Sequence, residues 1–494
     1  MRASGIFLHP TSLPSRYGIG DMGENAMGWI DLLASRQQTY WQVCPLGPTG
    51  YGDSPYQTLC SFAGNTLLIS PDELLSQGLL KAEEVEAFPH LSDNAVDYGN
   101  VITEKEKLFL RAFSRFTGNE DFQAFCKQQN WWLHDYALFR VIKESQSGKP
   151  WWLWEKKYKL RQKAAIRDIE QTFGSQLLYH KFLQYVFHSQ WDKLREYAGS
   201  KKIRIIGDLP YYTAYDSSDT WAEPKFFEFD KSGKPIRVAG VPPDYFSETG
   251  QLWGNPLYRW DVMKKDNYSW WVRRLRKTLE MVDLIRLDHF RAFESYWAVP
   301  ADHDSAINGV WEKGPGFDFF RSVKKQLGEL PLIAEDLGVI TPQVLELREQ
   351  VNAPGMKILQ FAFDGKPDNP YLPYNIPKDS VTYTGTHDND TSLGWFNMLS
   401  HDEKSRVCRF LGCTEEGFLR SFIRCAFASK SDICIVPFQD ILELDSSHRM
   451  NTPGTFGGNW SWRFTPDMVC DHKLNALEEH TVTFGRTLES GVMI

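Results

Sequence analysis

Eight short apolar runs, each followed by polar residues, constrain the fold of this chain more than any other feature. They lie at residues 5–8, 40–44, 203–207, 283–287, 332–334, 357–361, 381–384 and 433–437. Runs of this length and composition are typical of buried parallel strands, and helix-like stretches separate them. Eight strands that alternate with helices predict an α/β fold, a closed (β/α)8 barrel rather than an open sheet.

The intervals between the runs carry helical signals. Apolar residues recur at helical spacing just before the third run, at Leu183, Val186, Phe187 and Leu194. Thr341 and Pro342 are typical N-cap and first-turn residues, so they predict a helix that runs towards Val351. Gly328 is placed to end the helix before the fifth run.

Two intervals are longer than the others and predict insertions. The second run ends at 44 and the third begins at 203, which is far more chain than one crossover helix needs. Residues 71–200 are expected to form a mainly helical inserted subdomain. Residues 209–265, rich in Gly, Pro and aromatic residues, are expected to form a second, loop-rich insertion at the cleft, built as a long ordered loop. The rest of residues 1–494 is predicted to be a single barrel domain without a C-terminal β-sandwich.

Charge and cysteine usage exclude several classes of protein. The net charge of −8 is modest for 494 residues, and nucleic-acid binding would call for clustered Lys and Arg. The eight cysteines form no C-x-x-C pair, and several lie in apolar runs, which is typical of reduced thiols. No apolar run is long enough for a signal peptide or a membrane span. We therefore expect a cytoplasmic protein that binds neither nucleic acid nor membrane.

Carboxylates follow four of the eight runs. They are Asp208, Asp288, Glu335 and Asp388. The active site of a (β/α)8 barrel lies at the carboxyl ends of its strands, so these side chains are expected to meet at one rim. A single Asp at such a position is more often a cap or an ion-pair partner, and for Asp208 alone we favour that interpretation. For Asp288, Glu335 and Asp388 together, a catalytic role is the better explanation.

Two of these carboxylates fit cleavage of a glycosidic bond. A retaining mechanism needs one ionised carboxylate as nucleophile and one protonated carboxyl as acid, about 5–5.5 Å apart. Arg286 lies two residues before Asp288, hence on the same side of the strand, and would keep Asp288 ionised. Glu335 follows three apolar residues, and partial desolvation would raise its pKa. Asp288 is therefore the predicted nucleophile and Glu335 the predicted acid/base.

Metal and phosphate chemistry are the main rivals to this interpretation. His9, His289 and His387 each stand alone, whereas barrel metallohydrolases usually present a close His pair at an early strand end. Residues 387–390 lack the spacing of a calcium loop, and the glycines of 47–52 are not followed by the Lys-Ser/Thr of a P-loop. We expect neither a metal nor a cofactor. The high aromatic share of 14% is explained mostly by a large core, although sugar sites also use aromatic faces.

Ten short motifs, in order along nearly the whole chain, point to one family. They are GIGDMG (18–23), SPYQ (54–57), FAGN (62–65), GDLP (207–210), QLWGNP (251–256), RLDHFR (286–291), AEDLG (334–338), THDN (386–389), NTPG (451–454) and NW (459–460). In these motifs the chain resembles the amylomaltases, the disproportionating 4-α-glucanotransferases of glycoside hydrolase family 77 in the α-amylase superfamily. The departure at 58–61, which reads TLCS, affects no catalytic position.

The resemblance implies a reaction and a set of site residues. An α-1,4 bond is cleaved, the glucanyl group stays on Asp288, and it passes to the 4-hydroxyl of glucose or another glucan. Maltooligosaccharides and starch- or glycogen-derived glucans are the implied substrates. Asp388 would hold the hydroxyls of the sugar under attack. The implied sugar contacts are Arg286, His387, the stacking ring of Tyr56, Trp253 on the acceptor side, the weaker candidates Asp208, Asp364 and Asn459, and Tyr51 away from the reacting bond.

Transfer must compete with hydrolysis, because water and a sugar hydroxyl attack the same intermediate. The loop that carries Tyr245, Phe246, Leu252 and Trp253 is long and aromatic enough to cover an acceptor, and we expect it to favour transfer. An α-1,4-glucan hydrolase with the same carboxylates is the second hypothesis. A non-catalytic glucan-binding protein is a distant third, since such a protein is expected to lose Asp288 or Glu335. The oligomeric state and the preferred glucan length are open.

Overall fold

The computed structural model describes residues 2–243, 248–455 and 457–487. Its strands are β1 (Ala3–Phe7), β2 (Tyr40–Gln42), β3 (Arg204–Leu209), β4 (Arg237–Val241), β5 (Gln251–Pro256), β6 (Leu284–Leu287), β7 (Ser295–Pro300), β8 (Val310–Lys313), β9 (Leu332–Ala334), β10 (Gly355–Ile358), β11 (Ser380–Tyr383) and β12 (Ile433–Pro437).

The helices fill the intervals between the strands. They are α1 (Glu24–Ser35), α2 (Pro71–Ser76), α3 (Ala82–Glu86), α4 (Tyr98–Arg115), α5 (Glu120–Gln128), α6 (Asn130–Ser145), α7 (Lys156–Lys159), α8 (Lys163–Thr172), α9 (Gly174–Ser200), α10 (Ser218–Ala222), α11 (Trp260–Lys265), α12 (Ser269–Met281), α13 (Gly316–Leu327), α14 (Pro342–Val351), α15 (Ser392–Met398), α16 (His401–Leu411), α17 (Phe418–Ala428), α18 (Phe438–Ile441) and α19 (Asp471–Thr483).

Eight parallel strands close into a barrel in the order β1-β12-β11-β10-β9-β6-β3-β2. Each of them overlaps one of the eight apolar runs, so the predicted (β/α)8 fold is confirmed. The sixth run is the one displaced most, because β10 begins at Gly355 and the chain tightens into a 3-10 turn at Leu359–Phe361. Leu359 remains buried in that turn, which explains why the apolar pattern extends beyond the strand.

The predicted helix ends are also confirmed. The Thr341 side chain accepts a hydrogen bond from the Val344 N–H, and Pro342 opens α14. Gly328 follows α13 with φ +82°, a left-handed conformation that a residue with a Cβ rarely adopts. These ends are predictable because a cap depends on residues that are close in sequence.

The segment 71–200 carries the helices α2 to α9. Its last helix, α9, lies directly before β3 and packs against both α1 and α6. A separate buried cluster, which includes Trp151, Trp154 and Trp221, joins this segment to the chain after β3. The helical content agrees with the expectation for 71–200, while its division from the barrel as a subdomain stays a prediction.

The segment 209–265 contains two strands in addition to loops. β4 and β5 form a four-stranded antiparallel sheet with β7 and β8, in the order β5-β4-β7-β8. The expectation of a long ordered loop missed these strands. Gly240, Gly254 and Pro256 lie within them and are typical of turns, and two of the four strands come from residues beyond 265.

The remaining described chain adds helices around the barrel. After β12, the structure holds α18 and α19 and no further strand up to residue 487. Among the described residues, no helix combines the length and the apolar character that a membrane span requires.

Gly64 joins the loop that follows β2 to helix α9. Its N–H and C=O bond the Gln184 side chain at 2.8 and 2.9 Å. A Cβ at this position would lie 2.0 Å from ring carbons of Phe187, which is fully buried. Gly64→Ala is therefore expected to lower the free energy of unfolding by about 1–3 kcal/mol through overpacking. Thermal and denaturant unfolding would measure the change.

Gly28→Ala is the matched control, because Gly28 is an exposed residue of α1 and a Cβ there would meet nothing within 4 Å. It should stabilise the protein slightly, by about 0.5–1 kcal/mol, as alanine does in a helix interior. Equal stability of the Gly64→Ala variant and the wild type would contradict the proposed packing.

Candidate active site

The barrel brings the four strand-end carboxylates to one rim. Asp208 is part of β3, Asp288 follows β6 directly, Glu335 follows β9 directly, and Asp388 lies five residues beyond β11. β3, β6 and β9 are neighbours in the barrel. Three of the four carboxylates therefore lie on adjacent strands, as the alternation of strands and helices predicts.

Asp288 and Glu335 are held side by side by the register of their strands. Leu287 is aligned with Ala334, so the next residue of each strand starts about 4.8 Å from its neighbour. The Glu335 carboxylate is fixed by two backbone donors, His289 N–H to Oε2 at 2.7 Å and Leu337 N–H to Oε1 at 3.0 Å. This arrangement suits the separation of about 5–5.5 Å that a retaining pair requires.

Arg286 connects two of the carboxylates. Its Nη1 donates to both oxygens of Asp208, at 2.8 and 2.7 Å, and to Oδ1 of Asp288 at 2.9 Å. The side chains of Arg286 and Asp208 are only 5% and 1% exposed. The predicted position of Arg286 beside Asp288 is thus observed. Asp208 has the ion-pair role that is usual at a strand end, and its contact with sugar stays a prediction.

Burial raises the pKa of both carboxyl groups of the pair, and Arg286 opposes the rise in both. The pKa of Glu335 is raised to about 7. Burial is the largest cause, the Asp288 carboxylate adds to the rise, and Arg286 partly offsets it. Burial also raises the pKa of Asp288, to about 6, although Arg286 lowers it. Arg286 lowers the pKa of Asp288, in the direction expected, and limits the rise that burial causes. Because Arg286 bonds Asp288 directly, it favours the ionised form of this carboxyl group.

Asp388 and His387 form an ion pair at the edge of the site. His387 Nε2 lies 3.4 Å from Oδ2 of Asp388, and the Asn451 amide donates to Oδ1 at 2.7 Å. Burial favours a higher pKa for Asp388, but His387 and the Asn451 amide hold this pKa at about 2. Burial lowers the pKa of His387, and the Asp388 carboxylate more than offsets that effect. Half of the Asp388 side chain remains exposed, so it can still bind a ligand.

Tyr56 lies between the two ion pairs. Its hydroxyl donates to Oδ2 of Asp208 at 2.8 Å, and its ring stacks on His387 with centroids 5.0 Å apart. Trp460 packs against both rings at 5.7 Å. The Tyr56 ring is partly exposed, which leaves it able to contact a sugar.

Trp253 lies beside the residue that follows the predicted nucleophile. Its indole meets His289 edge to face at 4.9 Å and Tyr212 at 6.1 Å. His289 also donates its backbone N–H to Glu335, so this residue connects Trp253 with the predicted acid/base. Tyr245 and Phe246 are outside the described residues, and the covering role of their loop stays a prediction.

Three other predicted site residues have no described contact with this group. Asp364 is exposed and accepts a hydrogen bond from the N–H of Lys366. The Asn459 amide bonds Thr452 and Thr455 within its own segment. Tyr51 begins a 3-10 turn, and its side chain is outside the described part of the chain. Their contacts with sugar stay predictions.

Asn451 and Trp460 belong to this site, although no role was predicted for either. Both lie in motifs that are recognisable from the sequence, but their partners are distant along the chain. Asn451 contacts Asp388 across 63 positions. Such a pairing has no local signal in a single sequence.

Potential metal ligands do not converge in the described parts of the chain. Among residues 2–243, 248–455 and 457–487, no three His, Cys, Asp or Glu side chains are placed to hold an ion. The expectation of a site without metal or cofactor stays a prediction.

Glu335 should make stability depend on pH. Its pKa is about 7 in the folded protein and about 4.5 in an unfolded chain, so ionisation opposes folding. The cost is absent below about pH 4.5 and complete above about pH 7, where it amounts to about 1–3 kcal/mol. Glu335→Gln removes it, and the stability gain over wild type should grow from pH 5 to pH 8 in denaturant titrations.

Glu349→Gln serves as the control, because Glu349 is exposed on α14 and its replacement makes the same change of side chain outside the site. A stability difference for Glu335→Gln that is constant across pH 5–8 would contradict the raised pKa.

Comparison with known proteins identifies the same family as the motifs. The family model described as 4-α-glucanotransferase matches residues 8–469. The 4-α-glucanotransferase of Synechocystis sp. is 46% identical and the alignment covers 99% of this chain and 98% of that protein. The Thermus thermophilus 4-α-glucanotransferase is 45% identical, with 97% and 99% covered. The chloroplastic/amyloplastic 4-α-glucanotransferase of Solanum tuberosum is 43% identical, with 98% and 86% covered.

Solved structures agree with this result. The amylomaltase from Streptococcus agalactiae, in complex with acarbose, matches with a TM-score of 0.96 and 36% identity, covering 99% of this chain and 100% of that chain. The amylomaltase from Corynebacterium glutamicum matches with a TM-score of 0.77 at 16% identity, covering 99% and 75%, and supports the fold alone. The resemblance to amylomaltases is confirmed, and the chain belongs to the 4-α-glucanotransferase family.

Proposed function

We propose that this chain, as a 4-α-glucanotransferase, cleaves an α-1,4 bond and passes the glucanyl group to the 4-hydroxyl of glucose or another glucan. Maltooligosaccharides and starch- or glycogen-derived glucans are the proposed donors. The observation that carries the proposal is the Asp288–Glu335 pair, since both residues directly follow neighbouring strands that are aligned at Leu287 and Ala334. A retaining mechanism requires two carboxyl groups close together.

In the first step, an oxygen of Asp288 attacks the anomeric carbon while Glu335 gives its proton to the leaving glycosidic oxygen. Burial raises the pKa of Glu335, which favours its protonated form as the acid. Arg286 favours the ionised nucleophile through its hydrogen bond to Oδ1. The bond that breaks releases the shortened glucan with a new 4-hydroxyl, and the other sugar is left as an ester on Asp288.

In the second step, Glu335 acts as the base. Once Asp288 is esterified, its negative charge no longer raises the pKa of Glu335. Arg286 and the two backbone N–H donors continue to lower that pKa, so the carboxylate form becomes favourable. Glu335 then takes the proton of the acceptor 4-hydroxyl while the oxygen of that hydroxyl attacks the anomeric carbon. This attack releases Asp288 from the ester and retains the α-configuration.

Asp388 is proposed to bind hydroxyls of the sugar under attack. Its low pKa keeps it ionised as a hydrogen-bond acceptor, and half of its side chain is exposed to the cleft. The Asp388 carboxylate raises the pKa of His387, which favours the charged imidazole as a donor to the same sugar. The partly exposed Tyr56 ring supplies an apolar face next to both. The acarbose complex of the Streptococcus agalactiae amylomaltase agrees with an oligosaccharide site on this fold.

Transfer is favoured over hydrolysis by the family and by the surroundings of Glu335. The relatives are named as transferases rather than hydrolases. Trp253 packs on His289, whose N–H bonds Glu335, and its apolar surface is proposed to cover an acceptor sugar and to exclude water there. A glucan-binding protein without activity is disfavoured because the catalytic pair is intact.

We also propose that the protein works in the cytoplasm, in the metabolism of starch and maltodextrins. All eight cysteines are free thiols, which is usual in a reducing compartment. The chloroplastic/amyloplastic relatives show that the family also occurs in plastids.

Incubation with pure maltotriose tests the proposed function. We expect glucose and longer maltodextrins to appear while total reducing ends stay constant, because each transfer breaks one α-1,4 bond and forms another. Chromatography of the oligosaccharides, together with a reducing-end assay on the same samples, provides both quantities.

A steady rise in reducing ends, with only shorter products, would show hydrolysis and contradict the proposed transfer. Asp388→Asn is the companion variant, because it keeps the shape of the side chain and removes its charge. We expect this variant to lose kcat/KM by roughly 10- to 1,000-fold.

A further inference from the structure

The carboxylate of Asp388 has weaker hydrogen bonds and ion pairs with its neighbours than the other carboxylates of the site have. Asp208 and Asp288 share the guanidinium of Arg286, and Glu335 receives two backbone N–H bonds. Asp388 is half exposed, and its contact with His387 is long, at 3.4 Å. The one short hydrogen bond that its side chain accepts among the described residues is the 2.7 Å bond from the Asn451 amide.

Asn451 is itself fixed from several directions. Its N–H bonds the carbonyl oxygen of His387 at 3.1 Å, and the preceding residue, Met450, is buried and accepts the N–H of Trp460 at 2.7 Å. Arg449 donates from Nη2 to the Asp388 carbonyl at 2.9 Å and from Nε to the Asn451 carbonyl at 3.3 Å. The segment from Arg449 to Trp460 is therefore joined to the turn that carries Asp388.

An asparagine suits this position because it donates without adding charge. Several charged or titratable groups already act on Asp388: His387, Arg286, Asp288, Cys44 and, through the backbone and Asp390, Arg449. The cations among them stabilise the ionised carboxylate but would also draw it towards themselves. The Asn451 amide binds Oδ1, whereas His387 contacts Oδ2, so the amide opposes a rotation of the carboxylate that would bring Oδ1 towards the imidazole.

We infer that Asn451 is a positioning residue for Asp388, whose amide N–H keeps the carboxylate in the rotamer that binds the hydroxyls of the reacting sugar. This inference rests on the proposed function, because it assigns Asp388 to the sugar. It adds Asn451, from the segment after β12, to the residues that form the site beyond the end of β11.

Asn451→Asp and Asn451→Ala separate positioning from a general structural role. The Asp variant has the same shape, and when protonated it still donates a hydrogen bond to Asp388. When it ionises, the donor is lost and two carboxylates face each other, which is unfavourable. The ratio of variant to wild-type kcat/KM should therefore approach one at low pH and fall by about 10- to 100-fold as pH rises.

Asn451→Ala removes the donor at every pH. The ratio of its kcat/KM to that of the wild type should be lowered about tenfold or more, and to the same extent at every pH. Asn397→Asp is the matched control. Asn397 is exposed on α15, and the substitution adds the same charge a few residues after Asp388 in the chain. Its ratio should stay near one throughout. Thermal unfolding of each variant shows whether the fold is intact.

A constant ratio for Asn451→Asp, or wild-type activity in Asn451→Ala, would overturn the positioning role. If both Asn451 variants unfold at much lower temperature than wild type, the ratios are measured well below those temperatures, and a pH-independent loss in Asn451→Asp would again overturn the positioning role. The ratios require only cleavage of the α-1,4 bond. A wild type that hydrolyses maltotriose would therefore refute the proposed transfer while leaving the Asn451 test valid.

Discussion

The buried guanidinium of Arg286 is the interaction on which the site depends. Two carboxylates, Asp208 and Asp288, converge on one nitrogen of this side chain at the carboxyl ends of neighbouring strands. Removing their charges from water is costly unless they are paired, and Arg286 supplies the pairing. It stabilises the ionised form of Asp288, the predicted nucleophile, through a direct hydrogen bond.

The barrel makes this electrostatic arrangement possible. Because parallel strands keep a fixed register, Asp208 aligns with Arg286, and Leu287 aligns with Ala334 just before the catalytic carboxylates. The positions of three charged groups are therefore set by backbone hydrogen bonds rather than by flexible loops. Asp388 lies beyond its strand and needs separate support, which the segment with Asn451 provides.

What could be predicted from the sequence depended on how local the determining interactions are. The eight barrel strands, the Thr341 cap and the Gly328 helix end follow from neighbouring residues, and they were predicted correctly. The carboxylates could be placed on one rim because barrel geometry relates strand ends. The sheet of β4, β5, β7 and β8 was missed, since its pairings are long-range and its sequences contain Gly and Pro. The balance between burial and Arg286 at Asp288 also required coordinates.

The central claim, that Asp288 is the nucleophile and Glu335 the acid/base, is tested most directly by trapping the intermediate. Fluoride leaves without a proton, so Glu335→Gln should still react with α-maltotriosyl fluoride but should lack the base for the second step. Mass spectrometry of the protein and its peptides is expected to find a maltotriosyl ester on Asp288, and none in the Asp288→Asn variant. An ester on another residue, or turnover of the fluoride by Asp288→Asn at the wild-type rate, would contradict the account.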